Sequence, residues 1–280
     1  YATPWSVLGY ASLAAGAMLI LSDQRTLHRP GRWRRGRPLR WPVRWGRRTA
    51  LYGILMLGVS HVSYFHPGST AAQSKLGPTL HVVTWNIESG QWGPDSIAET
   101  LADFDADIFA ILEPGRTRML KRWQAALPYH EFSRRYGDTV LASRCPILRV
   151  RQAWLAGRSR SLWVMVEHPD IGKIQCVVVD MTSEPWFSKR RPLEILLERI
   201  KAHQRAHPDQ PMVILGDFNV PKDSKWLDDW RQKGLVNAFE QAGRGYSHTW
   251  PMVWPILSID QIWLSGPVEA VKADTEFTWA

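Results

Sequence analysis

Apolar residues in this chain fall into short runs that end on single polar side chains, and that rhythm predicts an alternating α/β domain. Leu80-His-Val-Val-Thr-Trp-Asn86, Ala106-Asp-Ile-Phe-Ala-Ile-Leu-Glu113 and Pro211-Met-Val-Ile-Leu-Gly-Asp217 each read as a buried strand with a polar end. Leu257-Ser-Ile-Asp260-Gln-Ile-Trp-Leu264 reads as another, with one acid inside the apolar run. Further strand patterns lie at Val140–Ser143, Ile147–Leu155, Ser161–Glu167, Ile174–Met181 and from Val268 to about Phe277. Helical periodicity separates them. Ile97, Leu101 and Phe104 share one face of 96–104, and Leu193, Leu196, Leu197 and Ile200 share one face of 188–207, which Pro208 ends. Thr117–Leu127 and Asp223 to about Gly234 read as two more helices. Strands interleaved with helices in this way predict two sheets packed face to face with helices outside.

The first 65 residues have another texture. Tyr1 to Ser22 carries no charge, and Thr49 to Phe65 is uncharged apart from His61. Each is close to the lower length limit for a bilayer span, about 17–25 residues. Trp5, Trp33, Trp41, Trp45 and Tyr64 sit near the ends, where interfacial aromatics are expected. The sequence therefore predicts two transmembrane helices around an arginine-rich loop, forming a membrane anchor over 1–65. A Gly/Ser/Pro-containing linker follows over 66–79, and the α/β domain over 80–280. Arginines retained on the cytoplasmic side would hold the loop inside and place the domain in the extracytoplasmic space. Two buried helices of a soluble domain are the alternative, but they leave Arg32-Trp-Arg-Arg-Gly-Arg37 with no acidic partner nearby. A cleavable signal peptide fits poorly, because the basic residues follow the first apolar segment.

Charge narrows the partners. The formal net charge is +9, which invites a nucleic-acid or anionic-membrane reading. Yet ten arginines lie between Arg25 and Arg48, and from residue 66 onward 25 basic side chains face 25 acidic ones. Nucleic acid stays among the substrate classes, but the charge of the catalytic half does not point to it. Cys145 and Cys176 sit in apolar strand contexts and read as free thiols.

Asn, Asp and Glu at several strand ends suggest one shared oxygen-rich site. A lone acid in a buried strand is costly unless it is paired or holds a metal. Hard cations such as Mg²⁺ or Mn²⁺ prefer oxygen ligands and complete their shell with water and phosphate. Gly216-Asp217-Phe218-Asn219 also suits a plain Asx turn.

In their order and spacing these motifs resemble the endonuclease/exonuclease/phosphatase superfamily, the divalent-metal phosphoesterases related to DNase I. Leu141-Ala-Ser-Arg-Cys-Pro-Ile147 and Gly245-Tyr-Ser-His-Thr-Trp-Pro251 add to the resemblance, which runs from Leu80 to the C-terminus. It implies a four-layer α/β/β/α sandwich and hydrolysis of a phosphate ester. It further implies Glu113 as main metal ligand with Asn86 beside it, and Asp217 orienting or deprotonating water. Asn219 would donate to phosphate, and Asp260 would set the tautomer of a catalytic histidine. Two departures stand out. Thr182 occupies the place of the histidine in the family's Asn-x-His, leaving Arg160, Arg190 or Arg191 as substitute donors. The family's Ser-Asp-His does not occur, and the chain begins with Tyr1, so the sequence reads as a fragment with impaired activity. A catalytically silent module that binds a phosphorylated ligand or partner is the alternative function. His203 and His207 have helical zinc-pair spacing but read as an exposed helix end. His248 reads as packing near Thr249, and Trp92, Trp186 and Trp254 as loop residues able to line a groove.

Overall fold

The computed structural model describes residues 11–15, 17–18, 41–68, 77–91, 93–251 and 255–276. The chain divides into two compact units, Tyr1–Phe65 and His66–Ala280. In the first, helix α1 spans Trp41–Tyr64. The Thr49 hydroxyl donates to the Trp45 carbonyl at 2.7 Å, and the Arg48 guanidinium lies 5.9 Å from the centre of the Trp45 ring. This helix starts well before the uncharged stretch and takes in Arg44, Arg47 and Arg48, while Gly53, Gly58, Ser60 and His61 dilute the rest. Among the described residues no helix is long and apolar enough to cross a membrane. The expected second transmembrane span at Thr49–Phe65 is corrected accordingly. Most of the expected first span lies outside the described residues, as do 69–76 of the expected linker.

The second unit carries two large mixed sheets. Strands β1 (Val82–Asn86) and β2 (Ile108–Leu112) run parallel, with helix α2 (Pro94–Asp103) between them in the chain. Helix α3 (Thr117–Ala126) leads to β3 (Glu131–Phe132) and β4 (Thr139–Ser143), which pair antiparallel and give the order β1-β2-β4-β3. Strands β5 (Ile147–Ala156), β6 (Ser159–His168) and β7 (Gly172–Asp180) form an antiparallel meander. Helix α4 (Arg190–Ala206) then crosses to β8 (Met212–Asp217), parallel to β7. Helix α5 (Asp228–Gln232), β9 (Val236–Asn237), helix α6 (Ala238–Ala242) and β10 (Asp260–Ser265) complete the six-stranded order β9-β10-β8-β7-β6-β5.

Burial follows the strand alternation. Ile108, Ala110 and Leu141 of the smaller sheet pack against Leu162, Val164, Cys176, Val178, Val213 and Leu215 of the larger one. On the outer sides, α2 and α3 cover the small sheet through Ile97, Leu101 and Trp123, and α4 covers the large one through Leu193, Leu196 and Ile200. The result is the expected α/β sandwich. Cys145 and Cys176 are free and buried.

Two expected elements differ. The helix expected from Asp223 to Gly234 is a 3₁₀ turn at Lys225–Leu227 followed by short α5. The Ser224 side chain accepts the Trp226 amide proton, and Trp230 is drawn inward edge-on to Phe218 and Trp263, at 5.6 and 5.5 Å between ring centres. Among the described residues 268–276 the strand expected from Val268 does not form. After Gly266 (φ +83°) and Pro267 the chain turns away from the sheet, and its ladder contact is one bridge between Ala273 and Gly243.

Candidate active site

Sheet register gathers the polar strand ends. Asn86 is the last residue of β1 and lies beside Leu112, the last of β2, so Glu113 emerges next to it. Glu113 then adopts φ +49°, which turns the chain out of the sheet. Its amide donates to the Asp138 carbonyl at 2.7 Å, and its carbonyl accepts from the Ser89 amide at 2.8 Å. Arg135 ties the same loops together, donating to the carbonyls of Gly115 and Gly137 and to Asp138 Oδ1.

In the large sheet four residues stand in one row across four strands. Arg160 pairs in register with Asp180, Asp180 with Asp217, and Asp217 with Asp260. Directly opposed residues share a face. Leu162, Val178, Leu215 and Leu264, two or four residues along each strand, pack into the inter-sheet core. The row therefore faces the small sheet, and Asn86 meets it there. Gly216 makes the close strand approach feasible: at φ +142°, a side chain on it would place Cβ 2.1 Å from the Val179 carbonyl oxygen.

Hydrogen bonds join four of the residues expected from the sequence, and sheet register sets the fifth, Asp260, beside Asp217. Asn86 Nδ2 donates to Glu113 Oε1 at 3.0 Å and reaches Asp217 Oδ2 at 3.5 Å. Its Oδ1 accepts the Glu88 amide proton at 3.1 Å, which fixes the amide with its nitrogen toward the two carboxylates. Asp217 Oδ1 accepts the Asn219 amide proton at 2.8 Å, and Asn219 Nδ2 donates to the Met181 carbonyl at 2.8 Å. Asp217 thus forms an Asx turn closed by the Asn219 amide, and Asn219, at φ +48°, braces the ends of β7 and β8. The amides of Ile259 and Asp260 donate to Thr249 Oγ1 at 3.2 and 3.1 Å, so the Gly245–Pro251 segment fixes the start of β10. Asp260 is the first residue of its strand rather than interior to it.

These carboxyls are hard to ionise together. Asp217 is 7 % exposed, and burial lifts its carboxyl well above the usual range. The neighbouring Asp260 charge lifts it further, while hydrogen bonds from Asn219 and Asn86 oppose the rise. Burial also raises Asp260, whose Oδ1 is sealed from solvent without a hydrogen-bond partner. Burial pushes Asp180 up to about 6; Arg160 pulls it down, and Asp138 and Glu113 add to the rise. Two like charges in one buried pair do not both ionise readily, so the second carboxyl of the pair loses its proton less easily than the first.

Sequence reading gave Asp180 no role, although Val-Val-Val-Asp is the same strand-end signal as its neighbours. It also missed Lys189, which is 4 % exposed and whose Nζ donates to the carbonyls of Glu184 and Phe187 at 2.5 and 3.2 Å. Among the three candidate arginines, Arg160 belongs to the acid row. Its Nε lies 4.0 Å from Asp180 Oδ2 and is buried without a hydrogen bond. Its guanidinium rests on Gly137, where any Cβ would collide with it. Arg190 and Arg191 instead pair with Glu194 on the exposed side of α4. Thr182 is occupied locally, its amide donating to Ser159 Oγ and its hydroxyl accepting from the Glu184 amide. His248 is buried and stacks on Tyr246. Trp92 and Trp254 lie outside the described residues; Trp186 is exposed.

Among the described residues no group of three or more His, Cys, Asp or Glu side chains is arranged to hold a metal ion. Glu113 is an exposed carboxylate beside that buried acid row, a donor set that fits a hard cation taking one or two protein carboxylates and keeping its waters.

A family model described as the Endonuclease/Exonuclease/phosphatase family matches residues 83–278. A search of curated proteins gave no match. Similar solved structures include an endonuclease/exonuclease/phosphatase family protein from Bacteroides thetaiotaomicron, 19% identical over 67% of this chain and 83% of that one, with a TM-score of 0.56. A mannosyl-6-phosphatase from the same organism is 19% identical over 68% and 86%, with a TM-score of 0.56. D. rerio TDP2 complexed with single-strand DNA product is 16% identical over 67% and 84%, with a TM-score of 0.57.

Proposed function

Because this chain belongs to the Endonuclease/Exonuclease/phosphatase family, we propose that it hydrolyses a phosphate ester with the help of a hard divalent cation, Mg²⁺ or Mn²⁺. The supporting observation is the meeting of Asn86 and Glu113 from one sheet with the Arg160-Asp180-Asp217-Asp260 row of the other. A bound cation would neutralise phosphoryl oxygens and supply Lewis acidity there. Glu113 is the carboxylate that would hold it, with Asn86 orienting that carboxylate through its N–H. Asp217, when ionised, takes a proton from the attacking water, the neighbouring Asp260 charge making it the stronger base. Arg160, loosely paired with Asp180, supplies positive charge for the developing phosphoryl charge that the Thr182 hydroxyl cannot supply.

The substrate class follows from neighbours by name only: one is a mannosyl-6-phosphatase and another a TDP2 bound to single-strand DNA product. Incubation with bis(p-nitrophenyl) phosphate, a sugar phosphate and a DNA oligonucleotide, with Mg²⁺ or EDTA, tests the proposal. Turnover that requires the cation and is lost in Asp217→Asn supports it; no turnover on any substrate overturns it. That second outcome would favour a silent phospho-ligand module, the reading that the internal engagement of Asn219 and Thr182 supports. Membrane association and attraction to its anionic lipids also belong to this proposal. They rest on the arginines of 25–48 and on exposed Leu51, Ile54 and Leu55 of α1 rather than on a spanning helix. Recovery of the full chain entirely in the soluble cell fraction would refute them.

A further inference from the structure

Side chains alternate along β6, so Trp163 and Met165 point opposite to Leu162 and Val164 of the inter-sheet core. On that outer face a cavity of about 610 Å³ lies between the C-terminal half of α4 and strands β5 and β6. Sites for small ligands commonly span about 300–1,000 Å³. Arg149 and Arg151 reach it from the edge strand, Arg199 and His203 from the helix, and the indoles of Trp154 and Trp163 complete the walls. Among the described residues no carboxylate lines it. Arg199 Nη1 is closed off from solvent without a hydrogen-bond acceptor, a costly state for a cationic donor. The Arg151 charge and the neighbouring His207 add to the burial that holds His203 below the usual imidazole range. Trp154 is 52 % exposed.

Basic side chains in the last turns of α4 suit the helix dipole. That accounts for His203 and Arg205, but not for two arginines contributed by a separate strand, nor for the orphaned Arg199 donor. Unbalanced guanidiniums converging on one space call for an anion, and adjoining indoles call for a planar ring. We propose that this cavity is a second ligand site, taking a nucleoside phosphate with its phosphate on Arg149, Arg151 and Arg199 and its base against a tryptophan. It lies on the sheet face opposite the acid row and stands independently of the hydrolase proposal.

The test is titration of the full chain with AMP in EDTA, followed by tryptophan fluorescence and calorimetry. Saturable one-site binding is expected, with adenosine and ribose 5-phosphate each about tenfold weaker or worse. Arg151→Gln and Arg199→Gln, on different elements, should each weaken AMP about tenfold while leaving hydrolysis of bis(p-nitrophenyl) phosphate in Mg²⁺ unchanged. Trp154→Ala, at an exposed position, should weaken AMP and reduce its quenching, and it keeps the test open should an arginine variant fail to fold. Absence of binding, equal affinity for ribose 5-phosphate, or unchanged AMP affinity in the folded variants overturns the proposal.

Discussion

Replacing Asp217 with asparagine should move stability and activity in opposite directions. In the folded protein this carboxyl is buried and faces Asp260, and both effects raise it above its ordinary value of 3.8. The folded state then holds a proton that the unfolded chain releases. Stability therefore falls as pH rises from about 4 through the folded pKa, and the full penalty is present at higher pH. Each tenfold loss of acidity costs about 1.4 kcal/mol. Asparagine carries no charge and keeps an acceptor for the Asn219 amide. Loss of the 3.5 Å contact with Asn86 offsets little of this. The expected gain is on the order of 1–2 kcal/mol, or about 2–4 °C in Tm per kcal/mol for a unit of this size. Turnover should fall by about 10²–10⁴-fold, the scale of a lost general base. Calorimetry of both proteins in EDTA between pH 4 and pH 8 gives the stability difference, which should vanish at the acid end. A lower Tm for the variant at pH 8, or a difference independent of pH, refutes the account of a strained acid pair.

Other substitutions probe separate parts of the site. Asp180→Asn removes a carboxyl pushed up to about 6; it should stabilise by roughly 1 kcal/mol above pH 6 and by nothing below pH 4, because Arg160 loses its partner in exchange. Denaturant titrations at the two pH values check it. Glu113→Gln alters an exposed side chain, so Tm should change by less than about 2 °C, while metal-stimulated turnover drops about 100-fold and the thermal shift on adding Mg²⁺ disappears. Gly216→Ala drives a methyl into the Val179 carbonyl and should cost roughly 3–5 kcal/mol, measured by urea unfolding; a variant of native stability would show that the β7–β8 approach relaxes freely.

Much of this was legible in the residues. Apolar runs and period-3.6 patterns located most strands and helices of the second unit within a few residues, because central strands such as Ile108–Leu112 and Met212–Asp217 are buried throughout and the helices bury one face. Asn86, Glu113, Asp217, Asn219 and Asp260 could be picked out because a polar group ending an apolar run is costly without a use. Less could be read where pattern and context compete. Thr49–Phe65 is apolar enough to suggest a bilayer, but its helix starts among arginines. Val268–Phe277 alternates like a strand, but Gly266 and Pro267 steer it off the ladder. Side-chain orientation was also beyond the sequence. Only coordinates show that Asn86 offers nitrogen rather than oxygen to Glu113, that Asn219 spends an N–H on Met181, or that Arg160 rather than Arg190 stands in the row.

Asn86 hangs from the four-stranded sheet and Asp217 from the six-stranded one, so neither half of the core owns the pocket. Chemistry exists only once the halves have docked, and any state with one half molten is catalytically blank. On the proposed hydrolysis, residual turnover during heating or refolding would count fully assembled molecules, a gauge of cooperative assembly.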